Sequence, residues 1–236
     1  MSILNTYVRG GITAVFLVVA ALAQQPPAQS QPGVPDPARF QNDIRAFAKW
    51  DRKNSVPTGA LLFVGSSSIV GWGTHEAFPE WPVLNRGFGG SHMSDLNHYF
   101  DQVVKPYAAR AIVVYEGDND IADDRTPEQV CGEYRVFVRK VRTIQPDVPI
   151  VILSIKPSRA RWERWPAMQQ ANALLRHLSD EEKSVTFVDV GAPLLGSDGQ
   201  PRTELFQADK LHLNADGYAL WNKTLRPILE RAMSRS

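Results

Sequence analysis

Cysteine is almost missing from this chain. Cys131 stands alone among 236 residues, so no intramolecular disulfide can form. Cys131, Tyr134 and Val138 share the i, i+3, i+7 face of a helical pattern, which predicts a buried, inert thiol. An excess of charge of either sign is missing too. The 26 Lys and Arg residues are matched by 25 Asp and Glu, and no long basic stripe occurs, which excludes the electrostatic footprint of a nucleic-acid binder. There is no self-similarity at periods of about 20–50 residues, which excludes solenoids and propellers. The one long apolar run, GITAVFLVVAAL at residues 11–22, is shorter than the roughly 20 residues a spanning helix needs. No cysteine stands at the end of the run, where a lipid would be attached, so a lipid-anchored form is not expected.

That run has the layout of a signal peptide. Arg9 supplies a short positive region, and Ala21-Leu22-Ala23 supplies a small-x-small cleavage pattern. Residues 1–23 therefore read as a signal peptide and Gln24 as the first mature residue, with an uncleaved anchor as the alternative. The protein is expected to be secreted or periplasmic, with no stable membrane insertion of the mature form. Removing residues 1–23 takes away Arg9 and no acid, leaving a mature net charge of zero. Residues 24–38 (QQPPAQSQPGVPDPA) are rich in Pro and Gln and read as an extended linker.

From Arg39 to residue 236 the pattern alternates, and 43% hydrophobic residues suit one globular domain. Helical spacing predicts a helix at residues 40–51. Short apolar runs predict strands at 60–64, 82–85, 111–115, 149–155 and 185–190. Further helices are predicted at 127–144, 165–178 and 215–233, the last with Asn214 as its N-cap and Trp221, Leu225, Ile228 and Leu229 on its buried face. Strands separated by helices imply right-handed crossovers and a parallel sheet covered on both faces. The expected fold class is α/β: a three-layer α/β/α sandwich around a doubly wound, flavodoxin-like parallel five-stranded sheet. Ligands in such folds bind outside the carboxyl ends of the strands.

Those ends carry chemistry. Gly65-Ser66-Ser67-Ser68 follows the first strand and Asn85-Arg86-Gly87-Phe88-Gly89-Gly90-Ser91-His92 the second. Glu116-Gly117-Asp118-Asn119-Asp120 follows the third, and Lys156 and Pro157 the fourth. Asp209-Lys210-Leu211-His212 precedes the last helix. A hydroxyl, a base, an orienter for that base and donors for a developing oxyanion are what acyl transfer needs. Each has a plainer reading. A serine after a strand is commonly a helix N-cap, the glycines a turn, and Gly117-Asp118-Asn119-Asp120 an Asx-turn or a surface calcium loop.

In that order the blocks resemble those of the SGNH hydrolases, the GDSL-type esterases and lipases, from about residue 60 to the end of the last helix. Gly65-Ser66-Ser67 stands for the first block, Gly89-Gly90-Ser91 for the second, Gly117-Asp118-Asn119-Asp120 for the third and Asp209-x-x-His212 for the last. The resemblance implies Ser67 as nucleophile, His212 as base and Asp209 as its orienter. It implies an oxyanion hole from the Ser67 and Gly90 N–H groups and the Asn119 amide, with no metal and no cofactor. Ser66 and Ser91 stand where many members carry Asp. Within the serine run, Gly65 is expected to turn the chain out of the strand, Ser66 to cap the coming helix, Ser67 to face the rim and Ser68 to bond locally in the first turn.

The resulting expectation is an exported serine esterase acting on small carboxylic esters, short-chain acyl or acetyl, of carbohydrates or lysophospholipids among others. Two rivals stand beside it. A metal-dependent phosphoesterase would converge Asp118, Asp120, Asp209 and His212 on a cation, leaving Ser67, Gly90 and Asn119 idle. A non-catalytic carbohydrate- or partner-binding domain would leave the whole set idle. After the fourth strand, PSRARWERW at residues 157–165 borders the site. It reads equally as a solvated basic helix start and as a substrate mouth, in which Arg161 and Trp162 hold an anionic group or stack on a sugar. No long hydrophobic lid segment occurs, which favours short acyl groups.

Overall fold

The computed structural model describes residues 35–234. The expected signal peptide and most of the linker lie outside these residues. The strands are β1 (Leu61–Gly65), β2 (Val83–Gly87), β3 (Ala111–Tyr115), β4 (Ile150–Leu153) and β5 (Val185–Val188). The α-helices are α1 (Gln41–Asp51), α2 (Ser67–Val70), α3 (Thr74–Ala77), α4 (Met93–His98), α5 (Phe100–Val103), α6 (Asp118–Ala122), α7 (Pro127–Ile144), α8 (Trp165–Glu181) and α9 (Ala215–Met233). All neighbouring strands pair in parallel, in the order β2-β1-β3-β4-β5. This is the flavodoxin-like order, whose switch point lies between β1 and β3. The three-layer sandwich expected from the sequence is the fold observed.

The sheet is covered on both faces, which is why β1, β3 and β4 are buried at every residue and show no polar alternation. Leu62, Val64, Ile112, Val114, Ile150 and Ile152 point to one layer, where they meet residues of α1, α4, α5, α7 and α8. Leu61, Phe63, Val113, Tyr115, Val151 and Leu153 point to the other, where Trp221, Leu225 and Leu229 of α9 cover them. Ile228, read as part of that face, is only partly buried. Cys131 is free and buried among α7 side chains, as its spacing predicts. Asn214 caps α9, its side chain accepting from the Gly217 N–H at 3.1 Å.

The domain includes residues before Arg39. Asp36 caps a 3-10 turn over Pro37–Phe40, and Tyr99 donates to the Pro37 carbonyl at 2.8 Å. The buried Phe40 packs edge-on against Phe88 at 5.0 Å, so the end of the expected linker is part of the domain.

Trp221 anchors the α9 layer. It is fully buried, donates to the Val190 carbonyl at 3.0 Å and meets the Trp72 ring at 5.3 Å. Trp221→Ala is expected to cost about 3–5 kcal/mol. At about 2–4 °C per kcal/mol for a domain of this size, Tm should fall by roughly 6–20 °C. A thermal melt followed by circular dichroism checks this, and a shift within about 2 °C would mean that α9 is held by other contacts.

Candidate active site

The turn out of β1 sets the first element. Gly65 has φ +135°, and a Cβ there would collide with the Tyr115 carbonyl of the neighbouring strand. Only glycine fits that close approach. The Ser66 N–H bonds the same carbonyl at 3.2 Å, and the Ser66 carbonyl then starts α2 by accepting from Ile69 and Val70. Ser66 stands at the N-cap position, but its side chain caps nothing: its Oγ is buried without a partner. Its contribution is through the backbone, which corrects the expectation of a side-chain cap. Ser68 lies in the first turn as expected, yet its buried Oγ makes no bond to that turn. Of the three serines, Ser66 and Ser68 are buried and Ser67 alone is partly open to solvent. As the first helical residue, Ser67 has an N–H with no acceptor inside the helix.

The last element is the loop before α9. Asp209 Oδ1 accepts from the Leu211 and His212 N–H groups at 2.9 and 3.0 Å, a tight turn in which Lys210 takes φ +58°. Asp209 Oδ2 lies 2.6 Å from His212 Nδ1, and His212 Nε2 lies 3.0 Å from Ser67 Oγ. Residues 145 positions apart are thereby joined in one hydrogen-bonded line. The bond to His212, followed by the two backbone N–H groups, holds the Asp209 carboxyl well below the usual carboxylate range.

The second block packs against Ser67, and the third is joined to the second through Asn119. Phe88 N–H donates to the Gly65 carbonyl at 2.9 Å, tying the loop after β2 to the end of β1. Gly89 packs on Ser67, a Cβ there lying 3.8 Å from Ser67 Cβ, and Gly90 follows with φ +84°. Asn119, in α6, donates through Nδ2 to the Ser91 carbonyl at 2.9 Å and accepts at Oδ1 from Arg161 at 2.9 Å. An amide has two N–H donors, so one remains beyond the Ser91 bond. The carboxylates that a metal-dependent reading would converge on a cation face elsewhere. Asp118 meets Lys156 at 3.2 Å and Arg161 at 3.4 Å, while Asp120 accepts from the Met93 N–H at 3.3 Å. Among the described residues, no three His, Cys, Asp or Glu side chains are grouped to hold a metal ion.

Arg161 reaches Asn119, whereas among the described residues no side-chain hydrogen bond or ring contact joins Trp162 to the site residues. Trp162 stacks on Trp165 with ring centroids 6.1 Å apart, and both Arg161 and Trp162 line a cavity of about 600 Å³ with Arg159, Arg164 and Ala122. The Arg161 head is engaged with Asn119 and Asp118, where the sequence reading offered it to substrate.

Residues 63–220 match the GDSL-like Lipase/Acylhydrolase family. The chain belongs to the GDSL-like lipase/acylhydrolase family. It is an ester-bond hydrolase by that membership. It is 32% identical over 214 residues to the platelet-activating factor acetylhydrolase IB subunit alpha2 of Gallus gallus, covering 81% of this chain and 87% of the relative. The corresponding subunit of Homo sapiens is 30% identical over 213 residues, covering 81% and 86%. Two solved structures share the fold. A GDSL-like lipase from Bacteroides thetaiotaomicron superposes with TM-score 0.67 at 18% identity, covering 80% of this chain and 98% of that one. A carbohydrate esterase family 3 protein from Talaromyces cellulolyticus gives 0.61 at 13% identity, covering 75% and 99%.

Beyond the residues singled out in the sequence, this GDSL-like hydrolase holds a buried polar support between the segments that follow β2 and β3. Glu116 is fully buried beside Ser91, with Oε1 2.5 Å from Ser91 Oγ, and Ser91 Oγ also lies 2.9 Å from the Phe88 carbonyl. Burial, and then the neighbouring Asp120 charge, raise the Glu116 carboxyl well above its ordinary value, outweighing the Ser91 bond that lowers it. A protonated Glu116 can donate to Ser91 Oγ while Ser91 donates to Phe88. Glu116 and Lys156 do follow strands β3 and β4, which was the one signal of a role; their partners lie too far off in sequence to show.

Because burial raises the Glu116 carboxyl in the folded protein, Glu116 adds most to stability below its ordinary value of 4.5 and loses that contribution as pH rises towards the folded value. Glu116→Gln keeps the donor and removes the titration. The Tm of the variant relative to the parent is therefore expected to rise from pH 5 to pH 8, and a constant difference would mean that Glu116 is ionised in the fold.

Proposed function

We propose that this chain is an exported serine esterase that removes short acyl groups, acetyl foremost, from small carboxylic esters. The observation that carries it is the line Asp209–His212–Ser67, at 2.6 and 3.0 Å, with its hydroxyl on the only partly exposed serine of the run. His212 Nε2 takes the Ser67 proton as Oγ attacks the ester carbonyl. The backbone N–H groups of Ser67 and Gly90 and the spare Asn119 N–H stabilise the oxyanion. His212 returns the proton to the leaving alcohol, and an acyl-Ser67 remains. Water, deprotonated by His212, then releases the acid and restores Ser67. Asp209 stays a carboxylate throughout, orients the ring through Nδ1 and stabilises the imidazolium form.

Two features support acetyl or another short acyl group. The curated relatives are named acetylhydrolases, and the sequence has no long hydrophobic lid segment. Export rests on Arg9, the apolar run and Ala21-Leu22-Ala23. Among the described residues no helix is long and apolar enough to cross a membrane. A chain-length series of p-nitrophenyl esters, run beside acetylated sugars and a lysophospholipid, tests the substrate assignment. kcat/KM should be highest for acetate and fall as the chain lengthens. A maximum at eight carbons or beyond would overturn the short-acyl assignment. For export, mass spectrometry of the protein expressed in its host should find an N-terminus near Gln24, and an intact Met1 in a membrane fraction would contradict it.

A further inference from the structure

The geometry points to Arg161 as the residue that positions and polarises the oxyanion-hole amide of Asn119; this rests on the esterase reading above. The Asn119 amide is fixed at both ends. Nδ2 gives one hydrogen to the Ser91 carbonyl at 2.9 Å, and Oδ1 receives the Arg161 guanidinium at 2.9 Å. Turned over, the amide would set its oxygen against the Ser91 carbonyl and its NH₂ against a guanidinium, two repulsive contacts. The spare N–H is thereby held on one side.

A cationic donor on the amide oxygen also draws electron density from the nitrogen. Charge-assisted hydrogen bonds are roughly twice as strong as neutral ones, and linked bonds polarise each other. The charges around Asn119 make this cation effective. Lys156 and Asp118 are both buried and paired at 3.2 Å, and Lys156 also lies 5.7 Å from the centre of the Tyr115 ring. Arg161 meets the same carboxylate at 3.4 Å. Two cations face one anion. Lys156 neutralises Asp118, so the Arg161 charge is left in excess beside the group that meets the oxyanion. Burial alone would raise the Asp118 carboxyl, but Lys156 and Arg161 together bring it below its ordinary value, so it remains the anion of the set.

The other arginines of the same segment are placed differently. Arg164 pairs with Asp124 at 2.6 Å, and Arg159 reaches the Pro201 carbonyl at 3.4 Å. Arg161 alone among them reaches Asn119, from 42 residues away. Its guanidinium acts through that amide, so it is a positioning residue and not a group that touches the reacting atoms.

A double-mutant cycle on a neutral ester, p-nitrophenyl acetate, tests this, because a neutral substrate gives an anion-binding arginine nothing to bind. Arg161→Ala is expected to lower kcat by about 10- to 100-fold with KM within about 2-fold, the size of coupling usual between contacting residues. In an Asn119→Ala background the same change should cost less than about 2-fold in kcat. Arg161→Lys, which keeps the charge but not the fork, should recover part of the loss. Melting curves identify which variants are folded, and if Arg161→Ala is not, Arg161→Gln takes its place in the cycle. Equal losses in the two backgrounds, or a rise in KM with kcat unchanged, would overturn the role of Arg161 alone. An unchanged kcat in Asn119→Ala itself would remove the oxyanion assignment and the Arg161 role together.

Discussion

Ser67→Ala is expected to lower ester turnover by about four to six orders of magnitude, with Tm close to that of the parent. The expected loss is large because nucleophile, base and orienter work as one unit, and His212 and Asp209 have nothing to activate once Oγ is gone. The fold should survive because Ser67 is only partly buried and its Oγ makes one side-chain contact, to His212 at 3.0 Å. A net contribution of about 1 kcal/mol is typical for such a bond. The two flanking serines are the internal controls. Ser66 Oγ is buried without a partner, so Ser66→Ala removes an unmet polar group and should be neutral or slightly stabilising, with turnover largely kept. Ser68→Ala should also keep most of its activity. A dead Ser66→Ala beside an active Ser67→Ala would shift the register of the nucleophile by one residue.

Asn119→Ala is expected to reduce kcat by about 10²–10³-fold, or roughly 3–4 kcal/mol of transition-state stabilisation, with little change in KM. In the proposed mechanism the spare N–H gains most as charge develops on the substrate oxygen, so the loss would belong to the transition state. The substitution also releases the Ser91 carbonyl and the Arg161 guanidinium, both of which Asn119 now engages, so Tm must be measured alongside. Asn119→Asp should be slower still. Its carboxylate would bind Arg161 well but would offer no donor when ionised and would repel the oxyanion. A large fall in Tm with kcat nearly unchanged would make Asn119 a structural residue of α6.

Much of this was readable from local pattern. The runs that became β1 and β3 are continuous because both sheet faces are covered, and Asp209-x-x-His212 could be placed because Asn214 marks the start of α9. Elements whose form depends on distant partners were harder to place. Strand β2 runs on through Asn85 and Arg86 to Gly87, although Asn is a poor strand former, because it pairs along β1 with Gly87 opposite Gly65. Strands β4 and β5 stop short of the expected 155 and 190. There Ser154 Oγ accepts from the Val190 and Gly191 N–H groups at 3.0 Å and draws the chain out of the ladder. The short helices α4 and α5 were not anticipated; Tyr99 breaks them at φ −92°, ψ 14°, which hides a single longer period. At the site, residue types and order were enough to single out Ser67, Asn119, Asp209 and His212 as candidates, and the fold brings Asp209, His212 and Ser67 into one line. The targets of Arg161, Lys156 and Glu116 could not be read in this way, since each lies across a strand crossover.

The central claim is that Ser67 is the nucleophile, and active-site labelling tests it most directly. The folded protein is treated with a fluorophosphonate, which phosphonylates activated serines, then digested, and the modified peptide is located by mass spectrometry while esterase activity is followed in parallel. The account predicts one modified site, Ser67, with activity lost in step with its occupancy and no labelling in Ser67→Ala. Turnover that persists when Ser67 is fully modified, or an active protein that the probe leaves unlabelled at Ser67, would contradict it.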